Sequence, residues 1–164
     1  MDEEIVLGYR PGAIGRITEL HGSYYHEHWG FDLFFESKIA VELSEFLNRY
    51  RQDRDGLWLA VTDGTINGSI VVDGIAADQE GAHLRWFIVS TDSQGRGTGK
   101  RLMNEALGFC RRAGYRRAYL WTFAGLEAAR HLYDKLGFTL TRESEGRRWG
   151  RTVTEQRFEL TMQP

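Results

Sequence analysis

The chain is 164 residues long, 41% hydrophobic and 27% charged, with a formal net charge of −2. That length and mix fit one globular domain, residues 1–164, with room for a proper core. The charge leaves no electrostatic footprint for DNA or RNA. No apolar run of about 18 residues offers a membrane span, the start Met1-Asp2-Glu3-Glu4 lacks a signal-peptide core, and the single cysteine excludes an internal disulfide and a cysteine-based metal cluster. A cytoplasmic protein is the expectation.

Ile5 to Tyr9 reads as a first strand. Pro11-Gly12 opens a segment with Ile14, Ile17, His21, Tyr24 and His28 at helical spacing, weakened by Gly15 and Gly22 and broken at Trp29-Gly30. A second helix is predicted from about Asp32 to Arg51, with Ile39, Leu43, Phe46 and Tyr50 on one face. Leu57 to Thr62 is a strand, Asp63-Gly64 a hairpin turn, and Thr65 to Ile75 the returning strand. A further strand covers His83 to Val89. Strict alternation there puts His83, Arg85 and Phe87 on one face, and Leu84, Trp86 and Ile88 on the other.

The stretch Ser93-Gln94-Gly95-Arg96-Gly97-Thr98-Gly99-Lys100-Arg101 follows that strand and opens a helix running to Arg112. A helix N-terminus carries unpaired N–H groups and partial positive charge, and both suit phosphate oxygens. Glycines at positive φ line such N–H groups into an anion nest, and Arg96, Lys100 and Arg101 add charge. The ATP-type P-loop is excluded, because Gln94 stands where its first glycine belongs and Arg101 where its Ser or Thr belongs. The dinucleotide fingerprint fails as well, with Lys100 or Leu102 at its third glycine.

Arg116 to Phe123 reads as an aromatic-rich strand. Gly125 to Leu136 is a helix with Leu126, Ala129, Tyr133 and Leu136 on one stripe and Gly137 as its C-cap. Phe138 to Glu143 and Thr152 to Met162 are two final strands, joined by the loop Glu145-Gly146-Arg147-Arg148-Trp149-Gly150. The only cysteine, Cys110, falls on the apolar face of its helix with Leu102, Met103 and Ala106, a core position. His26-Glu27-His28 is no metal site, since an i, i+2 pair does not share a helix face. No metal is expected.

Gln94, Gly97 and Gly99 form the pattern Gln-x-x-Gly-x-Gly, and Leu132-Tyr133 follows in a later helix. Together these blocks resemble the GNAT N-acetyltransferase superfamily, and the order of elements agrees along nearly the whole chain. The wording of the chain is also similar to the acetyltransferase half of fusions with MarR-type regulators; the DNA-binding half is not seen in this chain. The resemblance implies a single-domain α/β fold with a mixed, mostly antiparallel sheet flanked by helices. It implies acetyl-coenzyme A (acetyl-CoA) as cofactor, held by Gln94, Gly95, Arg96, Gly97, Thr98, Gly99, Lys100 and Arg101, with backbone donors near Phe87, Ile88 and Val89 facing the thioester. Tyr133 matches the family tyrosine that points at the coenzyme sulfur. His83 stands where some members carry a glutamate base. His28, Trp29, Arg85 and Trp149 are the expected acceptor contacts. Leu126 occupies a position where many members carry an asparagine that touches the coenzyme.

The implied reaction is acetyl transfer to a primary amine of a small molecule or amino acid by direct attack. A protein lysine or N-terminal acetyltransferase, and a non-catalytic acyl-CoA sensor, are the alternatives. The expected partner is a small-molecule amine, with no nucleic acid and no membrane. Homodimerisation stays open.

Overall fold

A computed structural model describes residues 2–163. The elements run β1 (Glu4–Leu7), α1 (Ala13–Trp29), α2 (Leu33–Asn48), β2 (Gly56–Thr62), β3 (Thr65–Asp73), β4 (Ala82–Val89), α3 (Thr98–Ala113), β5 (Arg117–Phe123), α4 (Glu127–Leu136), β6 (Thr139–Gly146) and β7 (Val153–Thr161). One seven-stranded sheet has the order β1-β2-β3-β4-β5-β7-β6. Every neighbouring pair is antiparallel except β4 with β5. This is the expected α/β single-domain architecture.

Two apolar cores lie on opposite faces of the sheet. Leu102, Met103, Ala106 and Cys110 of α3 and Tyr133 of α4 pack on Ala82, Leu84, Leu120 and Phe158. Ile17 of α1 and Phe35, Ile39, Leu43 and Phe46 of α2 pack on Leu57, Leu59, Val71 and Trp86. Each helix presents an apolar stripe to its face, and burial of those stripes holds the layers together. Cys110 is fully buried, and burial pushes its thiol up to about 12. It is a core side chain with no nucleophilic character at neutral pH.

Several boundaries differ from the sequence reading. α2 ends at Asn48; Arg49 caps it, and the Arg49 side chain makes a two-pronged bond to Asp73 (3.0 and 2.7 Å). β3 ends at that same Asp73, whose successor Gly74 donates its N–H to Asp55 (2.9 Å). β6 extends through Glu145 and Gly146, predicted as loop, because both pair with β7 opposite Thr154 and Val153.

Two irregularities in β4 shape the centre of the sheet. Strand β4 meets β5 at Ala82 and His83 alone, and the two diverge beyond that point. On its other side β4 carries a bulge: Ser69 pairs with Ile88 and Val71 with Arg85, so Trp86 and Phe87 together oppose Ile70. Trp86 takes φ +46°, a costly value for a bulky residue. Its carbonyl receives a 2.7 Å hydrogen bond from the buried Ser69 hydroxyl. The bulge breaks the predicted alternation. Trp86 packs with α1 and α2, on the side of Arg85, while Phe87 packs with α3 and α4, on the side of Leu84.

Candidate active site

The divergence of β4 and β5 opens a cleft of about 690 Å³ through the middle of the molecule. Residues from α1, α2, β4, the glycine turn, α3, β5, α4 and the β6–β7 loop line it. Phe87, Ile88 and Val89 line its β4 wall, where the backbone has no β5 partner.

At one end lies the glycine turn. Gly95 and Gly97 take φ +80° and +81°, and Gly97 caps α3 with no side-chain bond to the helix. From Gly95 to Lys100 no backbone N–H finds a backbone acceptor among the described residues. A run of unpaired donors at the start of a 16-residue helix is an anion cradle, and it fits a pyrophosphate. The Gln94 side chain ties the turn to the end of β4 by donating to the Val89 carbonyl (3.2 Å). Gly99 lies against Phe87, so a Cβ there would sit 3.3 Å from the ring.

The cations behave differently from one another. Arg96 and Lys100 are exposed beside the turn, outside the cleft lining. Arg101 pairs with Glu3, and the buried Thr98 hydroxyl donates to the same carboxylate (2.7 Å). Thr98 therefore offers the cradle its N–H and not its side chain. Glu3 itself gave no sign in the sequence, because it lies 95 residues from Thr98.

Tyr133 is 5% exposed and lines the cleft from the α4 side. Its ring packs near Phe87, Phe138 and Phe158 (centroids 6.5, 5.8 and 5.5 Å). Its hydroxyl has no hydrogen-bond partner among the described residues. Burial, with Tyr25 adding to it, raises the phenol well above its ordinary value. The side chain is thus a permanently protonated donor at neutral pH.

His83 also lines the cleft, stacked on Tyr119 (4.5 Å, 13°). Burial pushes its imidazole down to about 3, and Arg85, Arg157 and Arg148 press the same way against the opposing Asp73. Such a ring is neutral at pH 7 and accepts a hydrogen bond, but it binds a proton too weakly to retain one taken from an alkylammonium. His21 shares this character. Its Nδ1 is 2.8 Å from the Ile17 carbonyl, which fixes the Nδ1–H tautomer and leaves Nε2 as an acceptor. Burial holds it down to about 4.

The expected acceptor residues all line the cleft, with unequal freedom. His28 is exposed, its ring 4.5 Å from Tyr24. Trp29 packs edge-on against Phe123 (4.8 Å) and lies over Gly125, where a Cβ would meet the indole at 2.4 Å. Trp149 packs against Phe123 at 5.6 Å. Arg85 is a strut: it bonds Asp73 (3.2 Å) and Glu42 (2.6 Å) and lies 4.1 Å over Trp86. Leu126, at the family's asparagine position, lines the cleft and packs with the α1–α2 core. Among the described residues no group of three His, Cys, Asp or Glu side chains stands ready for a metal.

The profile of the acetyltransferase (GNAT) family matches residues 15–138, a span holding both the glycine turn and Tyr133. The chain belongs to the GNAT acetyltransferase family. N-acetyltransferase 8 of Rattus norvegicus is 33% identical over 110 residues, covering 65% of this chain and 50% of its own length. The chain spans about half the length of the first curated relatives it matches. A GNAT-family acetyltransferase from Staphylococcus aureus Mu50 superimposes with a TM-score of 0.78 at 16% identity, covering 99% of this chain and all of that one. An acetyltransferase from Salmonella typhimurium, solved with its cofactor acetyl-CoA, gives a TM-score of 0.71 at 17% identity, covering 98% of this chain and 95% of that one. These two likenesses show that the fold is shared over nearly the whole chain. No helix among the described residues is long and apolar enough to cross a membrane.

Proposed function

We propose that this GNAT member is an acetyl-CoA-dependent N-acetyltransferase acting on a primary amine of a small molecule or amino acid. The observation that carries the reading is the junction of a run of unpaired backbone donors, Gly95 to Lys100, with a cleft that reaches Tyr133 between the separated strands. Bound acetyl-CoA supplies an acetyl group on a thioester. The N–H groups from Gly95 to Lys100 hold its pyrophosphate, and Gln94 keeps the turn seated on β4. Backbone donors along Phe87, Ile88 and Val89 face a carbonyl oxygen that gains negative charge, the term that usually dominates acyl-transfer catalysis.

Tyr133 donates a hydrogen bond where negative charge collects on sulfur. Its raised pKa suits donation and opposes outright loss of its proton. His83 accepts a hydrogen bond from the incoming amine and orients it. The amine attacks in its neutral form, its ammonium proton having gone to solvent water, and the second proton, shed as the amide forms, passes through water to the departing thiolate and makes it a thiol. The neutral state of His83 and the absence of the family asparagine at Leu126 favour a non-catalytic acyl-CoA sensor as the second reading. Thiol release from acetyl-CoA, measured with a panel of amines, separates the two. Acetyl-CoA binding without turnover on any amine would sink the enzyme.

A further inference from the structure

Two arginines line the cleft, and they differ in what remains free. Both Nη atoms of Arg85 are spent on Asp73 and Glu42. Arg148, on the β6–β7 loop, is held by other atoms. Its main-chain N–H donates to Glu155 Oε2 (2.9 Å) and its Nε to Glu155 Oε1 (3.3 Å). Glu155 is 8% exposed, so a nearly buried carboxylate grips the residue at two points. The guanidinium lies over Trp121, its carbon 3.9 Å from the ring centroid, with Trp149 at 5.8 Å. Its two Nη atoms have no hydrogen-bond partner among the described residues, and the side chain is 37% exposed.

This arrangement fixes a planar fork in advance and leaves its outer edge open to the cleft. A long arginine normally loses rotamer freedom when it binds, and here stacking and Glu155 have already removed it. Two parallel N–H donors on a rigid plane match a carboxylate. The surroundings agree in sign: Arg85, Arg157 and Arg148 all disfavour a second positive charge at the neighbouring His83. Trp29, Trp149 and Phe123 supply apolar wall in the same cleft. Arg157 and Arg147 do not compete for the role. Arg157 is engaged by Glu159 and Glu80, and Arg147 by Thr152 and the Gly150 carbonyl.

We propose that Arg148 is the specificity residue of the acceptor site and that the acceptor is an amino carboxylate, its carboxylate on the Arg148 fork and its amine toward the opening between β4 and β5. The inference rests on the acetyltransferase reading for the identity of the site. Its test uses binding and not turnover, so the two fail separately. With coenzyme A present, titration calorimetry compares N-acetyl amino acids with the matching N-acetyl amino amides, which lack the charge. The wild-type protein binds the acids more tightly by on the order of 10- to 100-fold, the range for a paired charged hydrogen bond. In Arg148→Gln that ratio falls to near one, and in Arg148→Lys it is intermediate, because the charge survives without the fork.

Equal affinity for acid and amide in the wild-type protein, no binding of either at millimolar concentration, or a full ratio in Arg148→Gln each overturns the proposal. Acetylation of simple amines with no preference for a carboxylate would also remove Arg148 from this role while leaving the enzyme reading intact. If Arg148→Gln fails to fold, Arg148→Lys carries the variant arm: a ratio unchanged from wild type there, or equal affinity for acid and amide in the wild type, overturns the proposal.

Discussion

Acidification between pH 7 and pH 5 will destabilise this protein, and two cleft histidines set the size of the effect. In the unfolded chain each histidine titrates near 6.5, whereas in the fold His21 lies at about 4 and His83 at about 3. A base whose folded pKa is lowered binds more protons when unfolded, so its stability term is complete above 6.5 and declines as pH falls toward the folded value. At pH 5 the unfolded side chain has gained about 1.5 pH units of proton binding at about 1.36 kcal/mol per unit, roughly 2 kcal/mol for each histidine. Together they cost about 4 kcal/mol, a large part of the ~5–15 kcal/mol that holds a typical domain folded. Asp73 does not confuse this window. Burial alone would raise its carboxyl, but Arg49, the Ile75 N–H and Arg85 together outweigh that and hold it below the ordinary range, so its contribution is lost only at more acid pH. Urea unfolding followed by tryptophan fluorescence reads the effect directly. With an m-value of about 2 kcal/mol per molar, the midpoint falls by roughly 2 M between pH 7.5 and pH 5. His21→Phe and His83→Phe retain ring stacking on Tyr25 and Tyr119 and delete the titration, so each removes about half of the pH slope. A midpoint that does not move in the wild-type protein, or a wild-type slope in both variants, refutes the argument.

The proposed roles lead to four further tests. Tyr133→Phe lowers kcat by about 10²-fold or more while leaving acetyl-CoA affinity near wild type, as steady-state kinetics and calorimetry can show. Ser69→Ala leaves the Trp86 carbonyl unpaired in the core; unfolding reports a loss of about 1–3 kcal/mol, and kcat falls more than KM rises because the bulge loosens. Gly125→Val combines φ +112° with a Cβ 2.4 Å from the Trp29 ring, and it destabilises the fold by about 2 kcal/mol or more and raises acceptor KM. Gly97→Ala adds a Cβ that meets no neighbouring atom in the free protein, so it costs backbone strain at φ +81° and weakens coenzyme affinity sharply without unfolding the chain, as thermal melting with and without acetyl-CoA will show.

The order of elements was legible because each carries its own periodicity. The Leu102, Met103, Ala106 and Cys110 stripe marks α3, and the Asp63-Gly64 turn marks the β2–β3 hairpin without outside help. The glycine turn was legible for the same reason, since its donors come from consecutive residues. The bulge was not. His83 to Trp86 alternate polar and apolar, but Trp86 to Val89 are apolar throughout, so polarity does not tell which residue faces which side, and the extra residue shows only in the pairing with Ser69 and Val71 on the next strand. The pairing of Glu3 with Thr98 and Arg101, and the grip of Glu155 on Arg148, join residues whose local sequence announces nothing. His83 illustrates the limit most clearly. Its type and position suggested a base, but its proton affinity is set by burial and by arginines from β4, β7 and the β6–β7 loop.

The bulge also explains how one strand serves two walls. In an unbroken β4, Arg85 and Phe87 would share a face, and Trp86 would join Leu84 against α3. The extra residue instead places the neighbours Trp86 and Phe87 on opposite faces. Phe87 then reaches Gly99 and Tyr133 on the side proposed for the coenzyme, while Trp86 and Arg85 reach α2 on the side proposed for the acceptor. The strained φ of Trp86 is the local cost of that division, and the Ser69 bond, the Phe46 contact at 5.7 Å and the Arg85 guanidinium hold it in place. The donor half of the proposed reaction thus rests on contiguous residues around a helix start. The proposed acceptor half is assembled from α1, α2, β5 and the β6–β7 loop, so a substitution at a side chain such as Arg148 leaves the cradle's backbone donors untouched.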